Sequence, residues 1–287
     1  MSSSDTAIAP VTTTRSWRPR FLASELRLVF TRRRNLAMLA VLAGAPLLLG
    51  LAIRLSTRHP AGGGGPAFIG QITRNGLFLT FTSLVVTLPL FLPLVVSVVS
   101  GEAVAGEASS GTLRSLLVVP VSRTRLLLVK LAGVLAYGLA ATLTVGLSAI
   151  VVGFALFPTG PVTLLSGDTI PLSAALWRVL LVTLYVAAML AAVAAIGLFV
   201  STLTEVPLAA MATTAILVIV IEILDAIPQI SQIHPYLMTD WWLRFGDLVR
   251  DPVAYDGIVH GLLVTLGYVA VFGSLAWARL TTKDITS

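Results

Sequence analysis

The chain has 13 acidic residues in 287, and most of them fall in three groups. Glu102 and Glu107 open "GEAVAGEASSGTLRSLLVVPVSRTRLLLVK" (Gly101–Lys130), a polar interruption between two long apolar runs. Glu222 and Asp225, in "VIVIEILDAIP", are three apart and so share a helix face at the end of another apolar run. An acid there is costly unless paired or hydrated, which makes it a functional candidate by default. The bland alternative is a pair of interfacial carboxylates in headgroup water. Asp240, Asp247, Asp251 and Asp256 make the third group, with His234 just ahead of them.

Each group can be tested against known chemistry. His234 with Asp240 or Asp247 suggests a metal site, but one histidine without a second at ligand spacing is a weak pattern, and no metal is expected. Asp247, Asp251 and Asp256 are the best cluster for an intramembrane enzyme such as a lipid transferase or protease. They lack the arginine and glycine spacing expected of a lipid transferase. "GEASSG" (Gly106–Gly111) has the glycine spacing of a phosphate loop without its lysine, and no G-x-x-x-x-G-K-[S/T] occurs anywhere. The chain is therefore expected to bind no ATP or other cofactor by itself. With no cysteine, thiol and disulfide chemistry are excluded.

Composition defines what must position these groups. Hydrophobic residues make up 56% and charged residues 11%, with a mean hydropathy of +0.95. A soluble domain carries about 25% charged residues, so this is a membrane composition. The net charge of +6 sits beside apolar runs without aromatic–basic interleaving, which favours anionic lipid over nucleic acid.

A bilayer core of about 30 Å needs roughly 20 apolar residues in a helix. Six stretches qualify: Leu36–Ile53, Leu77–Ser100, Leu131–Phe157, Leu176–Val200, Val206–Leu224 and Ile258–Trp277. They are apolar on all sides, which excludes barrel strands. The expected fold is an all-α polytopic membrane protein whose six-helix domain occupies residues 36–287. Pro89 and Pro93, four apart in the second stretch, invite a bend. That bend is either a moving element or a matter of packing. Of the 19 lysines and arginines, thirteen fall on the side of the two termini and six on the other, which places both termini in the cytoplasm.

Residues 1–16 are Ser/Thr-rich and expected to be disordered; they do not read as a secretory signal. Residues 17–35 are expected to form an amphipathic interfacial helix, with Phe21, Leu22, Leu26, Val29 and Phe30 on the apolar side and Arg32–Arg34 at the headgroups. Tyr236, Trp241, Trp242 and Phe245 suggest an aromatic belt at the outer interface.

The interruption at Gly101–Lys130 is the most informative segment. Ser109, Ser110 and Gly111 break the second helix, Thr112 is a plausible N-cap, and the next helix must stop before Pro120. Thr112–Val119 is about 12 Å of helix, too short to span. Leu113, Leu116 and Leu117 form one apolar face, and Ser122 can cap the third membrane helix. On physics alone that face either seeks a protein partner or lies back on the membrane.

Glu107, Gly111-Thr112-Leu113, Leu116-Leu117, Pro120-Val121-Ser122-Arg123 and Lys130-Leu131-Ala132-Gly133 resemble the cytoplasmic loop of type-2 ATP-binding-cassette (ABC) transporter permeases. One departure is Ala108, where the family often has arginine. The resemblance implies that Thr112–Val119 is a coupling helix seated in a separate ATPase, with Glu102, Glu107 and Arg123 setting register. It implies two ATPase subunits, which hold the ATP and magnesium, and a second permease copy or a paralogue. The implied function is an exporter subunit in a bacterial cytoplasmic membrane, with Glu222, Asp225, Pro89 and Pro93 as candidates for the pathway or its exit. An ion-coupled secondary carrier is the other alternative, but repeated halves and mid-membrane charges are not evident.

Overall fold

The computed structural model describes residues 19–58, 75–110, 122–163 and 167–282. The helices are α1 (Pro19–Thr31), α2 (Arg33–Arg58), α3 (Phe78–Thr87), α4 (Phe91–Ser109), α5 (Arg123–Leu156), α6 (Leu172–Leu203), α7 (Pro207–Asp225) and α8 (Tyr255–Thr282). Six of them, α2 and α4–α8, are long and apolar enough to cross a membrane. In hydrocarbon a helix satisfies its backbone N–H and C=O groups internally, so these apolar runs fold as helices. A two-residue antiparallel ribbon, β1 (Val162–Thr163) with β2 (Thr169–Ile170), joins α5 to α6.

Helix α6 is the axis of the bundle and packs against α4, α5, α7 and α8. Val182, Val186, Met189, Leu190 and Ala192–Ile196 are buried along it. Close approach depends on small residues. A Cβ on Gly197 of α6 would fall 1.9 Å from Ser100 Oγ of α4, and one on Gly101 would fall 2.7 Å from the backbone nitrogen of Met211 in α7. Both contacts require glycine. By contrast α2, α7 and α8 leave broad apolar faces uncovered, including Leu48, Leu208, Ile216 and Leu266.

The second apolar run differs from the single span expected at Leu77–Ser100. It is split into α3 and α4 by a turn at Leu88–Leu90. Pro89 has no N–H and its ring collides with the carbonyl one turn back, so the helix ends ahead of it. Leu90, at φ −125° and ψ −55°, is outside helical geometry. Pro93 then falls in the first turn of α4, where a missing N–H costs nothing because that turn has no intrahelical acceptor. The two prolines thus break one helix and start another rather than bending a continuous rod. Both line a narrow crevice shared with Ala215, Val218 and Ile219 of α7.

The third span begins at Arg123, not Leu131, and its 34 residues make about 51 Å of helix. That exceeds a hydrocarbon core of about 30 Å, so α5 projects beyond it. Ser122 is its N-cap and accepts from the Arg125 N–H at 3.4 Å.

Between α7 and α8 the chain forms three 3-10 turns, Pro228–Ile230, His234–Tyr236 and Trp242–Val249. They close one end of the bundle against α6 and α8. The aromatic belt expected there is only partial. Trp242 and Phe245 are 2% and 3% exposed, so they are core, whereas Tyr236 is 74% exposed. Spacing alone does not distinguish a ring that faces lipid from one that fills the underside of a cap. The Tyr185 hydroxyl of α6 donates to the Trp241 carbonyl at 2.7 Å and pins the cap in place.

Candidate functional site

At the end of the bundle opposite the cap, α1, α4 and α5 meet around one lysine. Lys130, in the second turn of α5, is 2% exposed. Its Nζ donates to both Glu25 carboxylate oxygens of α1, at 3.0 and 2.9 Å, and also to Glu107 of α4. Isolating an ammonium from water is expensive, and carboxylates on two sides offset that cost. Glu25 reaches the lysine because Gly133, one turn further along α5, leaves room; a Cβ there would meet Glu25 Cγ at 3.2 Å.

A second ionic cluster adjoins the first. Arg32 pairs with Glu102 of α4 at 2.5 Å, and Arg34, at the start of α2, pairs with the same carboxylate. Glu25, Arg32, Asn35, Glu102, Glu107 and Lys130 line one crevice. The three acids match the three bases, so the network neutralises itself. Asn35 locks the corner between α1 and α2, donating from Nδ2 to the Val29 carbonyl at 2.8 Å. The Tyr137 hydroxyl of α5 donates to the Asn35 carbonyl at 2.7 Å. Helix α1 is therefore amphipathic as expected, but its buried face contains an acid and packs on α5 through Glu25 and Val29.

The far flank of the loop is held by the last helix. Arg123 Nη1 donates to the carbonyls of Leu280 and Thr281, at 2.7 and 2.9 Å, which gives C-terminal carbonyls of α8 that lack an intrahelical donor a cationic one. Trp277 Nε1 of α8 donates to Thr124 Oγ1 at 2.9 Å. Inside the bundle the Ser201 hydroxyl of α6 inserts into α4. It accepts from the N–H groups of Val104 and Ala105, at 3.0 and 2.9 Å, and donates to the Gly101 carbonyl at 2.6 Å. These bonds tie α6 to α4 in the stretch that carries Glu102 and Glu107.

The structure thus brings Glu102, Glu107, Ser122 and Arg123 to one end of the molecule. Gly111, Thr112, Leu113, Leu116, Leu117 and Pro120 lie outside the described residues. Glu222 and Asp225 lie at the capped end, on α7. There Asp225 comes together with His234 and Asp240, the three offering ligand atoms within 4.8 Å of one another. Asp247 stands elsewhere, 3.8 Å from Arg250, and Asp251 pairs with Arg178 at 3.4 Å.

Residues that sequence reasoning passed over include Glu25, Ser201, Asn35 and Tyr137. Glu25 was visible as the one acid in a basic amphipathic helix. Ser201 carried no signal, because a serine in an apolar run reads as packing.

Fold and site together define a multi-pass membrane protein of all-helical architecture, with a charged lattice at the base of one inter-helix loop. The family model for ABC-2 family transporter protein matches residues 31–222, from the end of α1 to the last turn of α7. The chain belongs to that family and is the membrane subunit of an ABC permease, a class that implies a partner ATPase. The comparison with curated proteins finds no match.

Proposed function

We propose that this permease subunit is one half of the membrane part of an exporter in a bacterial cytoplasmic membrane, with two separate ATPase subunits docked on the charged end of the bundle. Both termini lie in the cytoplasm in this reading. The concentration of Arg32, Arg34, Arg123, Arg125, Lys130 and Arg279 at one end supports it, since cationic residues stay on the cytoplasmic side.

One observation carries the proposal: Lys130 joins both flanks of the 110–122 loop, Glu107 before it and its own helix after it, to Glu25 of α1. A coupling helix at Thr112–Val119, gripped through Leu113, Leu116 and Leu117, would then push on α1, α4 and α5 as one body when ATP closes the motor. Arg123 extends that body to α8. A second copy of the chain completes the pathway, and the uncovered apolar faces of α2 and α7 are compatible with such pairing as well as with lipid. The broken α3–α4 segment at Pro89 and Pro93 would be the element that moves, and Glu222 with Asp225 would stand near the exit.

The test is co-purification from native membranes. Tagged protein is expected to retain a stoichiometric ATP-hydrolysing chain, whereas Leu116→Asp and Leu117→Asp variants, still membrane-inserted, should lose it. Retention of the ATPase by both variants would rule out the docking assignment. An external location for Thr112–Val119 in cysteine-labelling experiments would do the same.

A further inference from the structure

We propose that Asp225, His234 and Asp240 form a binding site for a divalent transition cation of the zinc type, which ties the end of α7 to the cap. The three residues come from different places: the last residue of α7, the first of the second 3-10 turn, and the turn ahead of the third. Each is half-buried and offers one ligand atom, and these atoms lie within 4.8 Å of one another. Ligands at zinc distances of 2.0–2.2 Å in a tetrahedral set stand roughly 3.5 Å apart. Inward rotation of the carboxylates by about an ångström closes the set around one ion.

Two further observations point to a ligand. Asp225 Oδ1 and the neighbouring Thr239 hydroxyl are both buried without a well-formed hydrogen bond, the hydroxyl standing beside the carboxylate as a poorly placed donor. A buried carboxylate oxygen so weakly satisfied is costly, and a cation satisfies it. His234 is already oriented, its Nε2 lying 3.1 Å from the Ile227 carbonyl. In the tautomer that donates this bond, Nδ1 presents its lone pair, the usual second contact of a ligating histidine.

Charge supports the same conclusion. Two arginines at this end pair with other acids, Arg178 with Asp251 and Arg250 with Asp247, and Arg244 stacks over the Trp241 ring. Among the described residues neither Asp225 nor Asp240 has an ion pair with lysine or arginine, and Glu222 adds a third carboxylate one turn back on α7. One imidazole and two carboxylates suit zinc with water in the fourth position, and suit magnesium or calcium poorly. In sequence His234 and Asp240 make only a weak pair, because Asp225 joins them only when the cap folds back on α7.

The experiment uses the full chain in lipid discs, without a polyhistidine tag, stripped with chelator and then given zinc. The wild type is expected to retain one zinc per chain after desalting and to melt at a higher temperature with zinc than without. Asp225→Asn and His234→Ala should lose both effects, while His260→Ala, which alters a histidine of the capped end outside the site, should keep them. Absence of retained zinc in the wild type, equal retention by the two site variants, or equal retention of magnesium would each overturn the proposal. If either variant fails to fold, Asp240→Asn and the zinc-dependent melting of the wild type decide: no rise in the wild type, or an undiminished rise in Asp240→Asn, overturns it.

Discussion

Lys130 and Glu25 are 105 positions apart, yet the lysine Nζ lies 2.9 Å from one carboxylate oxygen and 3.0 Å from the other. With Glu107 on its other side, this ammonium holds three helices together where α4 ends and α5 begins. A surface pair of this kind contributes little, about 0–1 kcal/mol. Burial changes the consequence of removing one member, because the remaining charges are left without water or partner.

Lys130→Met should therefore destabilise the protein by about 3–5 kcal/mol, read as a large drop in melting temperature in detergent. Glu25→Gln should cost less, since Glu107 still neutralises the lysine. A double-mutant cycle between the two is expected to show positive coupling. Additivity of the two changes would mean that the contact does not hold in solution.

Ser201→Ala removes the hydroxyl that serves Gly101, Val104 and Ala105 and should cost about 1–3 kcal/mol, the range for leaving buried backbone groups unsatisfied. Gly197→Ala should be destabilising as well, through collision with Ser100. Adding Ser100→Gly should restore much of that loss, and thermal melting of the three variants checks both expectations.

Arg123→Gln should release the C-terminal turn of α8. Amide exchange over Ala278–Thr282 is expected to accelerate while the rest of the bundle is unchanged. Arg123→Lys should recover only part of the protection, because one ammonium does not reproduce the planar guanidinium. If ATPase co-purification survives Arg123→Gln while exchange rises, the arginine acts within this chain rather than on the motor.

Glu222→Gln should alter the ATPase rate of the assembled complex in lipid discs more than it alters expression or melting. An unchanged rate would make this carboxylate an interfacial residue and nothing more.

Much of the fold was already decided by local composition. A helix is the only way for a single apolar run of about 20 residues to satisfy its backbone in lipid, so six spans follow from residues read in order. The turn chemistry at Ser122 and the effect of Pro89 are equally local. Other decisions depended on which helices meet. Trp242 and Phe245 became core because the cap folds onto α6, although their spacing suits an interface equally well. The partners of Lys130 were invisible for the same reason. Glu25, Glu107 and Lys130 are ordinary charges in three separate stretches, and only the crossing of α1 over α5 removes them from water and makes them depend on one another.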